Sequence, residues 1–237
     1  MHHRMMQRNR HASSHAVKVL VFAVAMLASM SPPLRADGPR RAIEVLETLA
    51  VKGRAPKTGY SREAFGPRWS DVDRNGCDTR NDILRRDLRD IETKPRKRSR
   101  KDPTRNRDCV VLSGVLDDPY SGRVVPFVRG EGSSNAVHID HVVAKGNAWV
   151  TGAFQWNDEQ RRMFANDPLN LLAVSGGLNS KKRDGDAATW LPPDRSFRCR
   201  YVARQIAVKQ RYGLWVTRPE KEAMQRILRN CPGESLP

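Results

Sequence analysis

Four cysteines constrain this chain more than any other residue type: Cys77, Cys109, Cys199 and Cys231, with no C-x-x-C pair among them. A zinc site that staples a fold draws on closely spaced ligands, commonly in such pairs. An even number at wide spacing reads instead as disulfides, and disulfides belong to an oxidising compartment. Three pairings are open on paper. Cys77 with Cys109 and Cys199 with Cys231 is favoured, since each pair stays within one half of the chain and brackets the central segment from outside. Buried free thiols are the alternative, and they suit the cytosol better.

The first residues point the same way. Residues 1–18 carry Arg4, Arg8, Arg10 and Lys18 and no acid, and residues 19–30 form an apolar run. A basic start before an apolar run too short to span a bilayer has the pattern of a signal peptide. Leu34-Arg35-Ala36 offers a small residue at a cleavage point, so residues 1–36 are expected to be removed and residues 37–237 to form a single domain. An uncleaved membrane anchor is the alternative. No Cys follows the apolar run for lipid attachment, so no stable membrane association is expected after cleavage. The oligomeric state stays open.

The formal net charge is +17; Arg4, Arg8, Arg10, Lys18 and Arg35 carry five of it, which leaves +12 for residues 37–237. An exported protein this basic is drawn to polyanions: nucleic acid, acidic wall polymers or anionic lipid headgroups. Charge alone does not choose among them. The densest basic run, residues 94–101, contains Pro95 and has no apolar face, and reads as a solvated loop that could graze a phosphate backbone. A hydrophobic fraction of 38% is enough for a core.

Apolar spacing predicts a helix over residues 42–50, ended by Gly53 and Pro56. A second helix starts beside Cys77, with Asp78 or Thr79 as its N-cap, and runs to Leu88. Residues 108–116 and 123–128 are extended and flank the turn-forming residues 117–122, a hairpin with a loop longer than two residues. Residues 137–143 form a short strand. Residues 145–165 are helical or mixed, with Trp149, Phe154, Trp156 and Phe164 as anchors. Leu171 to Val174 is a strand, and Gly176-Gly177 breaks it before a short helix over residues 178–183. Residues 198–211 and 219–228 form a helical pair within residues 197–231, with Gly213 closing the first helix, Thr217 capping the second and Pro219 in its first turn. Antiparallel packing would bring Cys199 and Cys231 to the same end.

Asp140 and His141 close the apolar run at 137–143. A carboxylate can hold a cation and an adjacent imidazole can activate water. On a straight strand the two side chains point to opposite faces, so they share one site only if the strand ends there. A buried His satisfied by a carbonyl is the plain alternative. Asn179 offers an amide oxygen to a hard cation, and Lys182 follows one helical turn later. Asn170 needs partners if buried, and its amide could hold a His ring. His138 shares the strand face of Asp140; it adds a ligand or a substrate contact, or it is an ordinary exposed or hydrogen-bonded His.

The segments Ile139-Asp140-His141-Val142-Val143, Asn166-Asp167-Pro168-Leu169-Asn170-Leu171-Leu172, Asn179-Ser180-Lys181-Lys182 and Asp186-Ala187-Ala188-Thr189-Trp190-Leu191-Pro192-Pro193 occur in this order. Together with Gly76-Cys77-Asp78-Thr79-Arg80-Asn81, they resemble the HNH, or ββα-metal, nucleases. The resemblance is strongest to exported bacterial proteins related to the DUF1524 group, which includes the C-terminal part of GmrSD-type restriction enzymes. It implies an α+β fold: a ββα-metal (His-Me finger) core over residues 137–193 with flanking helices and a small β-hairpin, stapled by disulfides. It also implies a secreted endonuclease of low sequence specificity. Asp140 and Asn179 would be the metal ligands and His141 the general base, with Asn170 orienting the base and Lys182 in the closing N-x-x-K. Many HNH proteins carry two C-x-x-C zinc pairs; this chain has none, and no structural zinc is expected.

Oxygen ligands suit Mg²⁺, with Mn²⁺ or Ca²⁺ as alternatives. Arg80, Lys181, Lys182 and Arg183 would hold phosphates without reading sequence, and His138 would join the substrate contacts. DNA is the expected substrate; phosphate contacts leave RNA open. The reading from another class is a secreted, noncatalytic polyanion-binding protein on the same scaffold. Trp149, Trp156 and Trp190 could stack bases, but their apolar neighbours assign them to the core.

Overall fold

The computed structural model describes Met1, residues 40–95 and residues 108–237. The leader beyond Met1 and residues 96–101 of the basic run lie outside the described residues. Helix α1, Ala42–Thr48, buries Ala42, Val45 and Leu46 on one face and gives way to extended backbone at Leu49, before Gly53 is reached. Helix α2, Thr79–Asp87, begins where the Asp78 carboxylate accepts the backbone N–H of Asn81 at 2.8 Å. That bond satisfies one of the donors a helix start leaves open.

Leu88 does not continue α2. It starts strand β1, Leu88–Thr93, which pairs antiparallel with β2, Val111–Asp118. Strand β3, Arg123–Val128, completes the predicted hairpin and the sheet order β1-β2-β3. The polar residues of β1, with Arg89, Asp90 and Glu92 outward, hid it from a periodicity search. Its hydrogen-bonding partner lies beyond the basic segment, and only that pairing makes it a strand.

A second antiparallel pair joins β4, Val137–His141, to β5, Leu171–Ser175, with Asp140 opposite Leu172 and His141 opposite Leu171. Between them run α3, Lys145–Val150, and α4, Asp158–Ala165. Helix α5, Gly176–Lys182, follows β5 without a break. Gly176 and Gly177 therefore head the helix rather than precede it. The reason is space: a Cβ on Gly176 would collide with the carbonyl oxygen of Asn135 and press on the His138 ring. Gly176→Ala is expected to cost about 1–3 kcal/mol, as overpacking does. A thermal melt coinciding with wild type would refute this account.

Helix α6, Arg198–Arg211, and helix α7, Arg218–Leu228, form the C-terminal pair. Gly213 adopts φ 63° just beyond α6, a conformation that favours glycine. Thr217 and Glu220 cap α7 reciprocally, and Pro219 lies in its first turn. Both disulfides form as expected, Cys77 with Cys109 and Cys199 with Cys231.

The β4-β5 pair is covered on both faces. Val137, Ile139, Leu171 and Ala173 pack with Ile83 and Leu84 of α2. Leu172 and Val174 pack with Tyr120, Tyr201 and Val202. A third cluster gathers Phe65, Trp149 and Phe164, with Trp156 against it. Trp149, Trp156 and Trp190 thus belong to the core. Phe154 is not the expected anchor: it is 39% exposed, its ring edge-on to Trp215.

Candidate active site

Strand β4 ends at His141, which lets Asp140 and His141 line one cleft despite their alternation. The cleft has a volume of about 950 Å³; β4 contributes His138, Asp140 and His141, α5 contributes Asn179, and α2 contributes Arg80. Lys145 at the start of α3, and Arg62, Arg68 and Trp69 from the loop before α2, complete its rim.

Asp140 is buried, with 5% of the residue exposed. Lys182 Nζ lies 3.1 Å from its Oδ1 and 3.0 Å from its Oδ2, and Tyr120 Oη donates to Oδ2 at 2.5 Å. Burial pushes the Asp140 carboxyl above its usual range, although Lys182 and Tyr120 pull the other way. Burial, then the Asp140 charge, raises the Tyr120 phenol well above its own range, so the hydroxyl remains a donor. Lys182 also donates to the His141 carbonyl at 2.8 Å. Its side chain is wholly buried beneath Asp140 and does not line the cleft. In place of the expected phosphate contact, Lys182 donates to Asp140 and to the carbonyl at the end of β4.

His141 Nε2 lies 2.8 Å from the carbonyl oxygen of Ala165, at the end of α4. A carbonyl only accepts, so this bond assigns the proton to Nε2 and leaves the lone pair on Nδ1. The ring lies between Trp69, at 6.4 Å and 17°, and Phe164, at 6.4 Å and 20°. Burial, followed by the Lys145 charge, pulls the imidazole down to about 3, so it is neutral.

Asn170 does not hold the imidazole, contrary to expectation. Its Oδ1 accepts the Val143 N–H at 2.8 Å, its Nδ2 donates to the Val143 carbonyl at 3.2 Å, and its own carbonyl accepts the Val142 N–H at 2.8 Å. It is fully buried and shapes the turn after His141. The contact to the ring falls to Ala165, whose backbone carbonyl carries no sequence signature.

Asn179 and His138 face each other in the cleft, with Asn179 Nδ2 3.5 Å from His138 Nδ1. Burial lowers the His138 imidazole, and nearby Arg80 adds to this against the pull of Asp140. Arg80 and Arg183 line the cleft. Lys181 is exposed and outside the lining.

No motif in the sequence marks Tyr120, Arg62, Arg68 or Trp69, which the fold brings to the site together with Lys145. Burial, with Arg62 and Arg68 adding to it, lowers the Lys145 ammonium. Only Lys145 left a signal, standing four residues after His141. Among the described residues, Cys199, Cys231 and Glu234 are the one group of three or more His, Cys, Asp and Glu side chains close enough to share an ion, and its sulfurs are locked in a disulfide.

Residues 78–227, which contain β4, β5, α5 and the cleft residues Arg80, His138, Asp140, His141 and Asn179, match the family of GmrSD restriction endonucleases, C-terminal domain. A protein of Arthroderma benhamiae described as an uncharacterized secreted protein is 35% identical over 214 residues, covering 88% of this chain and 95% of the relative. With the match running through every motif of the cleft and the relative spanning nearly the whole chain, this protein belongs to the HNH-related family of GmrSD restriction endonuclease C-terminal domains.

Proposed function

We propose that this protein is a secreted, metal-dependent endonuclease that hydrolyses phosphodiester bonds of DNA with low sequence specificity. In this reading β4, β5 and α5 form a ββα-metal core. The observation that carries it is the imidazole of His141: one nitrogen is bound to a carbonyl, and the other keeps its lone pair, in the cleft that Asp140 also lines. Membership of a restriction-endonuclease domain family supports the nuclease class. Two disulfides and a relative described as secreted support export.

The residues fit a hard divalent ion. A carboxylate offers about four acceptor positions, and Lys182 and Tyr120 leave part of Asp140 open to the cleft it lines. Asp140 and Asn179 would hold the ion, and oxygen donors of this kind suit Mg²⁺. When bound, it would supply charge neutralisation at a nonbridging phosphate oxygen and at the leaving oxygen. His141 Nδ1 accepts a proton from the attacking water, its basicity, lowered by burial and by Lys145, rising when an anionic phosphate sits against Lys145. The Ala165 carbonyl, Trp69 and Phe164 keep the ring in that orientation. Lys182 and Tyr120 aim the Asp140 carboxylate, as groups behind a metal ligand do. Arg80, Arg183 and the rim cations Arg62, Arg68 and Lys145 hold phosphates, which carries no sequence information.

Supercoiled plasmid should be nicked by the purified protein with Mg²⁺ or Mn²⁺, lose nicking in EDTA, and regain it when the ion is returned in excess. Nicking that persists in EDTA would refute the metal-dependent reading. DNA binding without cleavage in any divalent ion would identify a noncatalytic polyanion binder, and cleavage confined to RNA would correct the substrate.

A further inference from the structure

We propose that His138 is a third protein ligand of the divalent ion, so that the centre is a nitrogen-and-oxygen set of His138, Asp140 and Asn179. This rests on the reading of the cleft as a metal centre, and it adds a ligand and a metal preference to that reading. His138 and Asp140 are two residues apart on β4, so their side chains leave the same face of the strand. Asn179 comes from the facing helix α5, and all three line the cleft.

Separation matters most. His138 Nδ1 and Asn179 Nδ2 are 3.5 Å apart, at the outer limit of a hydrogen bond. Among the described residues the His138 ring makes no other hydrogen bond or ion pair, so this weak contact is not what holds it there. Two ligand atoms each about 2.1 Å from one ion stand roughly 3.0–3.4 Å apart at octahedral or tetrahedral angles, close to the separation seen. The amide of Asn179 can present its oxygen in place of its nitrogen by a half-turn that leaves its shape unchanged.

The ring orientation is built in by packing. A Cβ on Gly176 would lie 3.0 Å from His138 Cδ2 and Nε2, so the missing side chain lets that edge of the ring rest on the start of α5. The opposite edge, with Nδ1, is the one offered to Asn179. An ordinary solvent-facing His needs no facing amide. An imidazole donor moves a site away from Ca²⁺ and Mg²⁺ toward Mn²⁺ and the later first-row ions. The centre is therefore expected to bind Mn²⁺ more tightly than Mg²⁺.

The test is Mn²⁺ binding to the full purified chain, read by electron paramagnetic resonance as free-ion loss and as nitrogen coupling to the bound ion. Wild type, His138→Ala, His138→Gln and Asp140→Asn are compared, each with a circular-dichroism spectrum and thermal midpoint to establish folding. Both His138 variants should weaken Mn²⁺ binding about tenfold or more, on the scale of losses in metal affinity when groups at a site are removed. They should lose the nitrogen coupling and change Mg²⁺ affinity less. Glutamine keeps a polar contact to Asn179, so its failure to rescue separates ligation from structural support. Wild-type Mn²⁺ affinity and coupling in either His138 variant overturn the assignment, as does a bound ion without nitrogen coupling in wild type. If Asp140→Asn also leaves binding unchanged, or wild type binds no Mn²⁺, the metal-centre reading falls with it. If Asp140→Asn abolishes binding while His138→Ala does not, only the role of His138 falls.

Discussion

His141→Ala is expected to cut phosphodiester cleavage by about 10²–10⁴-fold, the range a positioned general base contributes. The protein should remain folded and still bind its metal. The imidazole makes one side-chain hydrogen bond, to the carbonyl of Ala165, a residue that itself lines the cleft. Truncation leaves Asp140, Asn179 and the Lys182–Tyr120 support untouched. Single-turnover nicking rates, read beside Mn²⁺ affinity and the circular-dichroism spectrum, separate chemistry from binding and folding. Wild-type cleavage by this variant would end the assignment of His141 as base.

The second large effect concerns stability. Lys182→Met should destabilise the protein by about 3–5 kcal/mol, because removing one partner of a buried pair leaves the other as an uncompensated charge. For a chain of this size that lowers the thermal midpoint by roughly 6–20 °C. The side chain of Lys182 is 0% exposed and lies outside the cleft lining, so water does not take over the ammonium's place under Asp140. The lost bond to the His141 carbonyl also frees the end of β4. Adding Asp140→Asn to Lys182→Met should recover much of the loss, since no charge is then buried alone. A single variant that melts with wild type, or a double variant no better than the single, would show that the pair is not what stabilises this region.

Legibility in the sequence followed the range of the interactions. Helix starts at Asp78 and Thr217 were readable because a cap acts over three residues. The β2-β3 hairpin was readable because its turn formers lie between its strands. The disulfide pairing followed from chain halves and from the antiparallel α6 and α7. Asp140, His141 and Asn179 announced themselves by side-chain chemistry, and the cleft holds all three. Strand β1 went unseen because its residues carry no alternation that survives without β2.

What the sequence determined by itself is the set of chemical groups and the local rules that place them: two disulfides, capped helices, and a carboxylate and imidazole where a strand stops. The tertiary structure alone decided how those groups are used. It sent Lys182 inward to Asp140, gave Asn170 to the Val143 backbone, and held the His141 ring with the carbonyl of Ala165. It also brought Tyr120, Trp69 and Lys145 to the site from separate segments. The reason is physical: backbone carbonyls are the same at every residue, and a side chain's direction into core or cleft is set by elements that become its neighbours only when the chain has folded.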